Sequence, residues 1–153
     1  RAIRLVGVEA AAAPPAVLDA IAGADRIVIC PSNPLVSIGP VLATGGIGVA
    51  VAARRERAVA VSPIVAGKAL KGPADRMLTE LGYEASVAGV ARLWAPYAAS
   101  LVIDQADAHL AEAVTAAGMR PVVTATVMTG PAEAAALART VLDVATDAAP
   151  ARS

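Results

Sequence analysis

Residues 24–34 read Ala24-Asp25-Arg26-Ile27-Val28-Ile29-Cys30-Pro31-Ser32-Asn33-Pro34, and this stretch decides the fold class. A β-branched run stopped by proline is the pattern of a strand buried on both faces, as in the middle of a parallel sheet. A similar run returns at Ala58-Val59-Ala60-Val61-Ser62, again before a proline. Two further strands are predicted over 99–104, centred on Leu101-Val102-Ile103, and over 120–128. Helices fall between and around them. They are predicted over 17–22 after Pro14-Pro15, over 41–57 with a break at Gly45-Gly46, and over 73–81 with Gly72 as cap and Gly82 as stop. Others cover 86–94, 106–117 before Gly118, and 131 to about 146, with a frayed tail to Ser153. These connections suit crossovers and are too long for hairpins. The expectation is therefore an α/β fold, a Rossmann-like three-layer sandwich with a mainly parallel sheet, in one domain over 1–153.

Composition narrows the function classes. Apolar residues make up 57% and charged residues 17%, the reverse of a disordered chain. Thirteen basic residues balance thirteen acidic ones, which argues against a DNA-coating protein, a polybasic membrane binder or an acidic tail. There are 40 alanines, no phenylalanine, and only Tyr83, Trp94 and Tyr97 as aromatics. That leaves no stacking platform for single-stranded nucleic acid. Cys30 and His109 are the only residues of their kinds, so disulfide frameworks, multi-cysteine zinc sites and histidine-rich metal centres are excluded, in keeping with a reducing cytoplasm. Residues 27–53 carry no charge, but Pro31, Pro34 and Pro40, several glycines, and Ser32, Asn33 and Ser37 would break a lipid-exposed helix. The chain opens Arg1-Ala2-Ile3-Arg4, without an initiator methionine or a signal-peptide pattern, which suggests a piece of a longer protein.

Ligands of such folds bind beyond the carboxyl ends of the strands. Two loops expected there are unusual. The first runs from Pro31 to Pro40. Its prolines hold one shape, Ser32, Asn33 and Ser37 offer short polar groups, and amides near Gly39 could approach phosphate oxygens. It reads either as a neutral nucleotide cradle or as a capped proline loop. The second, 62–73, holds Lys68 and Lys71. Lys71 stands just before a helix start, a favourable place for an anion, or is an ordinary surface lysine. Gly67-Lys68-Ala69 lacks the spacing of a phosphate loop, and Gly46-Ile47-Gly48 is a poor dinucleotide fingerprint. Asp104 is a candidate ligand or a cap before Ala106, and Asp107 belongs to the first turn of a helix. His109 reads as solvated or at the core edge, and Cys30 as a buried small hydrophobe. Trp94 and Tyr97 either line a pocket or cover the sheet edge. No serine–histidine–aspartate arrangement and no carboxylate cluster fit for a divalent metal is visible, and no residue is assigned a catalytic role.

The string from Ala24 to Pro34, followed by Ser37-Ile38-Gly39-Pro40, resembles the 2-phospho-L-lactate transferase family. Ala60-Val61-Ser62-Pro63-Ile64-Val65, Lys71-Gly72-Pro73-Ala74-Asp75, Leu101-Val102-Ile103-Asp104 and Met128-Thr129 follow in the family's order, so the likeness runs from about 17 to 144. The resemblance implies transfer of a phospholactyl group, or a phosphoenolpyruvyl group in actinobacteria, from a GDP-linked donor to the deazaflavin Fo during coenzyme F-420 biosynthesis. GMP would leave, magnesium would neutralise the diphosphate, and the alanine richness favours the enolpyruvyl donor. It also implies that this chain is the C-terminal half, with the magnesium ligands and much of the Fo pocket in the preceding half. Ser32, Asn33, Pro34, Ser37 and Gly39 then carry over as the guanine-nucleotide side, and Ser62, Lys71 and Asp104 as possible ligand contacts. A homodimer is also implied. The chain departs from the family at Ala66-Gly67-Lys68, where relatives read more like Gly-Gly, and at the helix break Gly45-Gly46.

Two other readings stand beside the transferase. One is a non-catalytic nucleotide-sugar binder of the YvcK type, which would prefer a UDP-sugar to GDP. The other is a structural fragment without binding of its own, which would unfold without responding to ligand.

Overall fold

The computed structural model describes residues 3–70 and 72–147. Four strands, β1 (Ile27–Ile29), β2 (Ala58–Val61), β5 (Ser100–Asp104) and β6 (Arg120–Thr124), form one sheet. They lie in the order β1-β2-β5-β6 and every pairing is parallel. Each crossover advances by one strand, which for right-handed connections places the connecting helices on a single face.

That face carries α2 (Gly39–Ala43) and α3 (Ile47–Ala52) after β1, α4 (Ala74–Glu80) and α5 (Val87–Trp94) after β2, and α6 (Ala111–Ala116) after β5. Its core joins Ile29, Ala58, Ala60, Leu101 and Ile103 of the sheet to Leu78, Val90, Ala91, Trp94 and Val114 of the helices. α1 (Pro15–Gly23) lies against α3. The opposite face is covered by α7 (Pro131–Asp147), whose Leu137 and Val141 pack on Val59, Val61 and Val102. Helix, sheet and helix make the expected three-layer, Rossmann-like α/β sandwich. Alternation along β2 and β5 sends odd and even residues to different cores, and both are apolar, so the two strands read as unbroken hydrophobic runs.

Several local expectations are corrected. β1 is not buried on both faces. It is an edge strand, α7 covers the sheet over β2, β5 and β6, and Val28 is therefore 40% exposed. Cys30, at its end, is exposed and not a buried hydrophobe. The segment 120–128 leaves the sheet after Thr124, because the Thr126 amide and hydroxyl turn to Asp104. The helix over 106–117 begins as a tighter 3-10 turn over Gln105–Leu110 before α6. The supposed loop 63–72 contains a short antiparallel hairpin, β3 (Ile64–Val65) and β4 (Lys68–Ala69). The glycine break falls where expected. The Gly45 amide donates to the Ala11 carbonyl and its carbonyl accepts from Ala13, while Gly46 stands at φ +93°, a conformation glycine adopts without strain. The tail expected to fray, 148–153, lies outside the described residues.

Arginines tie the base of the layers together. Arg54 donates to the carbonyls of Ala22 and Ala24, and Arg55 to those of Ala95 and Gly118. Among the described residues, no helix is long and apolar enough to cross a membrane.

Candidate functional site

A cleft of about 620 Å³ opens beyond the carboxyl ends of β1, β2 and β6, where a parallel α/β sheet places its ligands. One wall is the segment after β1, with Pro31, Ser32, Asn33, Val36 and Ser37. The floor comes from Ser62 and Pro63 after β2, and a second wall from Leu70, Gly72 and Pro73. Thr126, Val127 and Met128 close the far side. Val36, Leu70, Val127 and Met128 are exposed apolar side chains, so the cleft has an apolar rim around a few small polar groups. Such a mixture holds a flat or sugar-like body by contact and orients it through hydroxyls.

The expected nucleotide residues do not all face this cleft. Ser32 and Ser37 do, and neither hydroxyl has a hydrogen-bond partner among the described residues. Asn33 also lines it, but its amide is engaged. Oδ1 accepts from the Leu35 amide at 2.9 Å and the Val36 amide at 3.2 Å, capping a wide turn over Pro34–Ile38, and Nδ2 donates to Met77 Sδ at 3.5 Å. Asn33 is thus first the residue that shapes the wall. Pro34 is buried and Gly39 faces away, both lining a second cavity of about 660 Å³ that also touches Tyr83, Trp94 and Tyr97. The Gly39 amide donates to the Pro34 carbonyl and so is not open to a phosphate. A Cβ at Gly39 would stand 2.9 Å from that oxygen, which explains the glycine without a ligand.

Ser62 is 3% exposed and its hydroxyl is closed into a local turn, donating to the Ile64 carbonyl and accepting from the Ile64 amide. Lys71 lies outside the described residues. Asp104 lies outside the lining of the cleft. Its Oδ1 accepts from the Ala106 amide at 3.0 Å, and its Oδ2 from the Thr126 amide at 2.8 Å and the Thr126 hydroxyl at 3.0 Å. Burial pushes its pKa up, but these hydrogen bonds outweigh burial and hold it below the ordinary aspartate value. The cap reading describes this residue, and it positions Thr126 within the cleft wall.

One residue of consequence was missed. Asp107, assigned only to a helix turn, is 2% exposed and reaches across to the Ala66 amide at the tip of the β3–β4 hairpin. The contact spans 41 residues in sequence, and no local signal announces it. Among the described residues no three His, Cys, Asp or Glu side chains gather closely enough to hold a metal ion. The carboxylates of Asp104 and Asp107 are turned to backbone amides. Among the described residues, no set of side chains fits a magnesium ion.

Comparison with known proteins bears on this arrangement. The family model for 2-phospho-L-lactate transferase CofD matches residues 1–144. The chain belongs to the CofD family. A phosphoenolpyruvate transferase of Kitasatospora aureofaciens is 43% identical over 145 residues, covering 94% of this chain and 45% of that relative. A phosphoenolpyruvate transferase of Streptomyces griseus is 42% identical over 149 residues, covering 95% of this chain and 46% of the relative. A 2-phospho-L-lactate transferase of Methanothermobacter thermautotrophicus is 42% identical over 96 residues, 63% of this chain and 31% of the relative. This CofD-family chain thus spans less than half the length of the curated relatives it matches.

Proposed function

We propose that the chain is the C-terminal half of a transferase that moves a phosphoenolpyruvyl or phospholactyl group from a GDP-linked donor to the deazaflavin Fo. The observation that carries this reading is the cleft at the carboxyl edge of the sheet, with the Ser32 and Ser37 hydroxyls unpartnered on one wall, in a chain of the CofD family. The names of the two streptomycete-type relatives favour the enolpyruvyl donor.

In the proposed reaction the terminal ribityl hydroxyl of Fo attacks the phosphorus that bears the three-carbon acid. The bond from that phosphorus to the bridging oxygen breaks, GMP departs with the oxygen, and the hydroxyl proton is lost. This chain's share is to bind and orient. Ser32 and Ser37 donate to the guanine-nucleotide part, and the apolar rim excludes water around it. The described residues supply no general base beside the cleft and no metal-ligand set. Magnesium, the remaining acceptor contacts and a homodimeric, cytoplasmic assembly belong to the same proposal, with the metal's ligands in the preceding half. The isolated chain is accordingly expected to bind nucleotide and to turn over weakly or not at all.

Calorimetry with GDP, with and without magnesium, tests this. The expected result is binding selective for guanine over uracil nucleotides, weakened about fivefold or more by Ser32→Ala with Ser37→Ala, as loss of two hydrogen bonds of about 0.5–1.5 kcal/mol each implies. Asn33→Ala should weaken it too, through the collapsed turn. A folded chain that prefers a UDP-sugar would instead favour the non-catalytic nucleotide-sugar binder. Robust turnover by the 153-residue chain would overturn the division of labour.

A further inference from the structure

We propose that Asp107 is a positioning residue that sets the wall of the cleft formed by Leu70, Gly72 and Pro73. The inference deepens the nucleotide-site reading and rests on it for the ligand.

Ala66 stands at φ +49°, and among the described residues no other non-glycine has a positive φ. With Gly67 at φ +73° it forms the two-residue turn between Val65 and Lys68. The strand pairing imposes this conformation, but left-handed backbone is disfavoured for any residue with a Cβ, and one group from outside the turn supports it. That group is the Asp107 carboxylate, whose Oδ2 and Oδ1 share the Ala66 amide at 3.0 and 3.2 Å. Asp107 as a residue is 2% exposed. No other hydrogen bond or ion pair to it occurs among the described residues. A buried side chain serving a single amide adds little to stability on its own. A glycine at 66 and a neutral residue at 107 would give a more relaxed hairpin.

What the arrangement does achieve is placement. The hairpin's second strand, β4, is followed at once by Leu70, which lines the cleft together with Gly72 and Pro73. Asp104, three residues earlier in the chain, holds Thr126 on the opposite side. The turn after β5 therefore grips both sides of the cleft, each through a carboxylate directed at a backbone amide.

The test compares Asp107→Ala with Asp107→Asn, which keeps one acceptor oxygen at nearly the same place. Asp107→Ser, too short to reach, replaces the alanine variant if that one does not fold. Amide exchange by NMR on the whole 153-residue chain reads the wall without any ligand, and GDP titration reads the site. Asp107→Ala should speed exchange at Ala66, Gly67, Leu70 and Gly72 by about tenfold or more and leave β2 and β5 unchanged. GDP affinity should fall by a similar factor, and Asp107→Asn should restore both to within about threefold of wild type. Unchanged exchange in Asp107→Ala overturns the proposal. So does loosened exchange with wild-type GDP affinity, since the wall would then not matter to the ligand. If the wild-type chain binds no GDP, the nucleotide reading fails, and the exchange pattern still decides whether Asp107 sets the wall.

Discussion

Asp104 couples the cleft wall to pH. Its pKa in the fold lies below the ordinary value of about 3.9, so the fold favours the ionised form. A depressed carboxyl contributes stability that is present above the unfolded value and is lost as pH falls through the folded one. Asp104→Asn cannot ionise, and its amide group would place a donor against either the Ala106 or the Thr126 amide. The variant should lose about 1–3 kcal/mol at pH 7, the cost of a buried group left unsatisfied. The gap to wild type should shrink below about pH 4. Urea unfolding of both proteins between pH 7 and 3 measures it, and a constant gap would count against this account. At this scale the sequence showed the residue and left two roles open. An aspartate before Ala106 is legible as a cap. Its hold on Thr126, 22 residues away, is not, because nothing in a local pattern encodes which distant amide a carboxylate will meet. The same holds for Asn33, whose side chain closes its own turn before any ligand arrives.

Short elements carry most of the differences between expectation and structure. The β3–β4 hairpin has only two residues per strand, and its turn is Ala66-Gly67 instead of the Asn-Gly or Asp-Gly pair that marks such a turn in sequence. Ala66→Gly relieves the left-handed strain, worth about 1–2 kcal/mol, against about 0.5–1 kcal/mol of added chain entropy. The net expectation is a gain of up to about 1.5 kcal/mol in urea unfolding. A loss would show that the φ at Ala66 is not a source of strain. Longer elements fared better. Helices α5 and α7 and the strands β2 and β5 fall within a residue or two of their predicted bounds, since apolar pattern, caps and breakers agree there. In α5, Ser86 accepts from the Gly89 amide, and a Cβ at Gly89 would collide with the Glu84 carbonyl, so the entry of the helix is fixed by both residues.

The whole molecule has an asymmetry that no single element reveals. One face of the sheet is covered by helices from each of the three crossovers, while the other depends, among the described residues, on α7. Leu137 is 5% exposed and packs among Val59, Val61 and Val102. Leu137→Ala should therefore cost about 2–4 kcal/mol, as other buried leucine truncations do, seen as a lower urea midpoint with unchanged m-value. A loss under about 0.5 kcal/mol, within the range of surface substitutions, would mean that α7 is not a firm part of the core. The α/β class and mainly parallel sheet of this CofD-family chain follow from repeated β-branched runs between helices, and the strand order comes from the structure. The exposure of β1 does not, because an apolar run looks the same in a central strand and at an edge that only one layer covers.

That edge leaves the chain's single cysteine in solvent, beside Pro31 and Ser32 at the mouth of the cleft. A thiol-reactive dye would attach there and nowhere else, without a substitution, and its emission would report events at the mouth. The same exposure sets a handling condition: stored in air without reductant, two copies can join through Cys30 into a covalent dimer, visible on a non-reducing gel.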